Sequence, residues 1–219
     1  MLRLLFNKTG RSVWISHLDL MRLFQRAFKR ADLPLTHTQG FNPRPSVSIA
    51  LPLSVGVESH CELLDFELDG VDVSCDEICL RLNQSLVEGV GVVKVYENGR
   101  KIRDLNLLRC ALTLQYDQGV PENCVGILDD LFSQTSVIVP KKTKNGIQDQ
   151  DIIPMIREIS ITQISSREVE INCLICCQNP TLNPMQLPAA IAIYKPDYAP
   201  DFTHCVRVEV FDINQQIFR

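Results

Sequence analysis

The cations of this chain gather early, at spacings that suit anion chemistry. The segment "SHLDLMRLFQRAFKR", residues 16–30, carries Arg22, Arg26, Lys29 and Arg30. Steps of three and four put Arg22, Arg26 and either Lys29 or Arg30 on one face of a helix, where like charges repel by a few tenths of a kcal/mol each. A face built that way suits an anionic ligand; the plainer reading is a solvated helix exterior. The loop that follows, "LTHTQGFNPRPS", adds Gln39, Phe41, Asn42 and Arg44. An arginine forks onto a phosphate, an asparagine both donates and accepts, and an aromatic ring stacks on a base. Aromatic stacking with arginine contacts is a common way to hold single-stranded nucleic acid. Phe41 has a competing role as a plug for the core. A histidine can serve in acid–base work or donate to a phosphate, and His17 and His37 are the candidates for it. Their structural alternatives are a helix cap and a loop hydrogen bond.

Other chemistries find little support. "CDEIC" spaces Cys75 and Cys79 on one helical face, and "CLICC" contains a Cys-x2-Cys, but no second pair follows at zinc-like spacing. No phosphate-cradling Gly-x4-Gly-Lys-Ser/Thr, no dinucleotide Gly-x-Gly-x2-Gly and no Gly-x-Ser-x-Gly elbow occurs. Neither a metal nor a cofactor is expected. Nine cysteines, an odd number with no export signal, read as reduced thiols packed as small apolar groups.

The elements that must position the cations follow from periodicity. "LRLLFNK" is a strand closed by a turn at Gly10, so the N-terminus does not read as a signal peptide. Ser16 caps a helix over 17–30, with Leu20, Phe24, Ala27, Phe28 and Ala31 on its apolar face. Gly40 and two X-Pro bonds keep 36–45 out of helix. Strands are expected over 46–53, 61–69 and 91–97, with a helix over 74–86. This strand–helix–strand–strand–helix–strand order is the split βαβ pattern. The order recurs after residue 106, with helices opening near Pro121 and at Asn183–Pro184 and an extra strand or hairpin near 156–164. The expected fold is therefore α+β: two tandem ferredoxin-like (βαββαβ) domains with antiparallel sheets, over 1–100 and 101–219. The polar stretch "ENGRKIRDLN" lies between them.

The 219 residues are 45 % apolar and 22 % charged, ordinary for a packed core. No apolar run reaches 18 residues, so no membrane span is expected and the chain reads as cytoplasmic. The net charge is −4, yet residues 1–50 hold eight cations against Asp19 and Asp32, a net +6. Such asymmetry points to a cationic surface facing an anionic partner.

The stretch "SHLDLMRLFQRAFKRADLPLTHTQGFNPRPSVSIALPLSVGVES" resembles the radical SAM-linked proteins, a bacterial family built on a domain of unknown function. The resemblance lies in Ser-His-Leu-Asp, the Arg/Lys helix, and Gln-Gly-Phe-Asn-Pro-Arg-Pro entering a strand that ends in Leu-Pro-Leu. "DIIPMIREISI" and "TLNPMQL" extend it more loosely. It implies a radical SAM protein as partner, encoded alongside or fused, among genes of RNA processing and ribosome biogenesis. The chain lacks the Cys-x3-Cys-x2-Cys motif of the radical enzyme itself. At the fold level alone it is similar to CRISPR repeat-processing endoribonucleases, but "NPTLNPMQLP" has none of their C-terminal glycines. The expected function is that of an accessory protein presenting RNA to the radical SAM partner. Arg22, Arg26, Lys29, Arg30 and Arg44 would meet phosphates, Phe41 and Asn42 a base or the partner, and His17 and Gln39 would shape the pocket. Two alternatives remain open: a docking module that uses no RNA, and a metal-independent ribonuclease or RNA-modifying enzyme using His17 or His37.

Overall fold

The computed structural model describes residues 1–143 and 146–219. Among the described residues the chain is mixed α and β, with four helices and mostly antiparallel sheet. It divides into two compact units, Met1–Ile102 with Arg219, and Arg103–Phe218.

In the first unit β1 (Leu2–Lys8), α1 (His17–Arg30), β2 (Val47–Ile49), β3 (Val57–Phe66), α2 (Cys75–Ser85) and β4 (Val90–Glu97) follow in that order. β1 pairs antiparallel with both β3 and β4. β2 pairs antiparallel with the end of β3, opposite the same residues that β1 meets. The strand order is thus β4-β1-β3-β2. β2 covers three residues where alternation suggests eight, because Pro45 and Pro52 flank it and lack the N–H a ladder needs. β3 begins four residues earlier than alternation suggests.

α1 lies on this sheet through Leu20, Phe24, Ala27 and Phe28, all buried. Phe24 meets Phe6 edge to face at 4.7 Å between ring centres, and Phe28 meets Phe66 at 4.8 Å. Such pairs add about 0.5–1.5 kcal/mol beyond their burial. α2 is fixed to β4 by Asn83, whose amide accepts from Val92 N and donates to Val92 O. Two cations counted in the early charge are buried. Arg3 forks onto Asp65 at 2.6 and 3.0 Å, and Lys8 donates to the carbonyls of Val13, Ile15 and Ser54. Lys8 thereby holds the 3-10 turn Gly10–Trp14 that leads into α1.

In the second unit β5 (Leu107–Gln115) is followed by α3 (Cys124–Phe132), then a hairpin of β6 (Ile138–Thr143) and β7 (Gly146–Asp151). β8 (Ile156–Gln163), β9 (Glu168–Cys176), α4 (Gln186–Tyr194) and β10 (Phe202–Phe211) complete it. The order here is β10-β5-β9-β8, all antiparallel. The added strand pair is 138–143 with 146–151; residues 156–163, expected to be the addition, form a strand of the main sheet. α4 starts at Gln186, two residues after Pro184, because Asn183 Oδ1 accepts from Met185 N and holds a turn there. α3 likewise starts three residues after Pro121. Among the described residues no helix is long and apolar enough to cross a membrane.

Candidate nucleic-acid interface

α1 owes its start to Ser16. The Ser16 hydroxyl accepts from Asp19 N and donates to the Asp19 carboxylate. That bond, and then the Arg22 guanidinium at 2.9 Å, lower the Asp19 pKa. With its apolar face down, the helix turns Arg22, Arg26, Lys29 and Arg30 to solvent. The structure distributes these four over two grooves.

The first groove, about 500 Å³, is lined by Arg22, Arg26, Arg30, Ile15, Leu23 and Val87, with Asp19 at one end. From Arg22 to Arg30 is eight residues, about 12 Å along the axis at about 1.5 Å per residue. Arg26 makes no hydrogen bond or ion pair among the described residues, though its charge also acts on Asp19. Arg22 is held only by its exposed pair with Asp19, a contact worth little. Arg30 is also structural: its guanidinium donates to Ser85 O at 2.6 Å, a free carbonyl at the negative end of α2.

The second groove, about 340 Å³, opens on the other side of α1 and contains Lys29 and His37. Above it stands the loop. His37 bridges to Pro45, Thr38 N donates to Arg44 O, and Arg44 N donates to Thr38 Oγ1. These contacts close the base of a projection whose tip is Gln39 to Pro43, with Gly40 at φ +140°. Gln39, Asn42 and Arg44 are exposed, and Phe41 is fully so. Phe41 is therefore not a core plug. His17 is the first residue of α1, half-buried, and lines neither groove.

Two residues of this surface escaped sequence reasoning. Trp14, the chain's one tryptophan, is 64 % exposed beside Ile15 of the first groove; its signal was an aromatic in the polar turn "GRSVWIS". Gln25 lines the second groove and left no signal beyond its place one turn before Lys29. Elsewhere, burial raises the pKa of Cys75 and Cys79, with help from Asp76 at both and from Glu97 at Cys75. Cys110, Cys173 and Cys205 meet as buried thiols on adjacent strands of the second unit. No group of three or more His, Cys, Asp or Glu among the described residues is placed to hold a metal ion.

A family model described as an uncharacterized protein conserved in bacteria (DUF2344) matches residues 1–184. The chain belongs to that family. The matched span contains α1, both grooves and the projecting tip of this family member. No curated protein matches its sequence. Among solved structures it is similar to a chain of a Cbf5-Nop10-Gar1 complex, at 10 % identity and a TM-score of 0.51, over 95 % of this chain and 48 % of the other. It thus spans about half the length of that neighbour, and the likeness concerns the fold alone. An unknown protein from Galdieria sulphuraria matches at 10 % identity over 94 % and 97 % of the two chains, with a TM-score of 0.26.

Proposed function

We propose that this protein is an accessory RNA-binding protein of the cytoplasm that holds RNA for a radical SAM enzyme. The observation that carries the RNA reading is the convergence of Arg22, Arg26 and Arg30 on one open groove. Clustered arginines neutralise successive phosphates and release counterions. The fully exposed Phe41, beside Asn42 and Arg44, supplies a stacking group and further polar contacts. The radical SAM partner rests on the sequence resemblance alone. We also propose that each unit is a ferredoxin-like module, spanning 1–100 and 101–219. Support comes from the βαββαβ order and from the strand order within each unit, in which the first strand lies between the fourth and the third.

Docking of a protein without RNA is a second reading, favoured by Trp14 and Leu18, which are 64 % and 67 % exposed near the start of α1. The ribonuclease reading, in which His17 or His37 does acid–base work, has no specific observation in its favour: His17 lines neither groove, and His37 lines the second. The test is recovery of RNA with the tagged chain from cells, beside an Arg22→Ala/Arg26→Ala variant. The wild type should retain RNA and the variant should lose most of it. A wild type that retains the radical SAM protein after nuclease treatment, and never any RNA, would establish the docking reading instead.

A further inference from the structure

The second groove differs in kind from the first. Its walls are Phe28, Leu33, Pro34, Leu35 and Pro45, and polar groups enter at three points only: Gln25, Lys29 and His37. None of those three side chains has a hydrogen-bond partner among the described residues. An apolar cleft with a few convergent polar groups is the usual make-up of a small-ligand site, and about 340 Å³ falls at the small end of the usual range of about 300–1,000 Å³. The side chains narrow the ligand further. The apolar walls suit a flat aromatic ring. The Gln25 amide both donates and accepts, so it can pair with a heterocycle edge. Lys29 supplies a point charge for a phosphate. His37 and Pro45, bridged to each other, form the rim from which the tip carrying Phe41 rises.

We infer that this cleft binds one unpaired nucleotide, the base between the apolar walls and its phosphate on Lys29. This inference rests on the RNA reading and sharpens it. The arginine groove would follow the backbone and accept paired or unpaired strands alike, whereas the cleft admits a base only when it is unstacked. The chain should therefore prefer single strands, with the base next to the captured one stacking on Phe41.

The test compares wild type with a Gln25→Ala/His37→Ala variant on three probes: a short single-stranded oligoadenylate, the same strand annealed to its complement, and adenosine monophosphate. The wild type should prefer the single strand. The variant should bind that strand about tenfold more weakly, in line with the loss of one held base, while keeping the wild-type salt slope, which reflects the phosphates neutralised. A wild type that binds both strand forms equally, or a variant that keeps the single-strand preference, would overturn the cleft and leave the arginine groove standing. If no RNA binds, the RNA reading falls. The cleft is then judged by the His37 imidazole resonances: movement on adding adenosine monophosphate, abolished by Gln25→Ala, supports a free-nucleotide site, and no movement overturns it.

Discussion

At the scale of single residues, the two phenylalanines of the early segment have opposite duties. Phe24 is buried against Phe6, so Phe24→Ala should cost about 3–5 kcal/mol. Phe41 touches no core, so Phe41→Ala should leave stability within about 0.5 kcal/mol in a denaturant titration while weakening RNA binding. A large loss of stability from Phe41→Ala would mean that the tip packs on something. The thiols give a pH-dependent prediction. Burial raises the pKa of Cys75 and Cys79. Thiolate is therefore scarcer at these positions than in a free cysteine at any pH below the raised value, and alkylation should be slower at pH 8 and climb only as pH rises further. Alkylation faster than free cysteine would contradict that environment. Residue types alone indicated which groups carry charge, but not which keep it at the surface. Arg3 and Lys8 contributed to the early positive sum, yet both are buried, one on Asp65 and one on three carbonyls. Burial of a lysine depends on partners distant in sequence, such as Ser54.

At the scale of elements, α1 is the part most legible in the sequence. Its apolar period and its serine cap predict Ser16 and His17–Arg30, and the structure has those bounds. Ser16→Ala should cost about 1 kcal/mol by removing the acceptor for Asp19 N, measurable as a lowered thermal midpoint. The added hairpin was misplaced because "GIQDQD" has no apolar alternation to mark a strand. It is held from outside: Tyr194 Oη accepts from Ile138 N and donates to Ile138 O. Tyr194→Phe should therefore speed hydrogen exchange in 138–151 more than in β9; equal change in both would show that the hairpin does not open by itself. The grooves were not legible as grooves. Their shape needs Val87 and Ser85 from the end of α2, and Leu35 and Pro45 from the loop, beside α1. Helical spacing put Arg22, Arg26 and either Lys29 or Arg30 on one exposed face. It could not show that Lys29 faces a different cleft from the three arginines.

At the scale of the whole molecule, charge is segregated along the chain. Residues 1–50 carry a net +6, and the rest must carry −10 to leave −4 overall. With Arg3 and Lys8 buried, the surface cations of that first stretch are Arg11, Arg22, Arg26, Lys29, Arg30 and Arg44. An acidic protein that binds RNA must do so through a confined surface, because the rest of it repels phosphate. The measurement that tests this most directly is the salt dependence of binding to single-stranded RNA, for wild type and for Arg22→Ala/Arg26→Ala. Arg30 is left in place because it also holds the end of α2. The wild type should show a steep fall of log affinity with log salt. The variant should bind more weakly with a slope shallower by about 1.4, at about 0.7 for each phosphate that its missing arginines leave un-neutralised. No binding by the wild type at low salt, or equal slopes for the two proteins, would contradict the arginine groove as an RNA-binding surface.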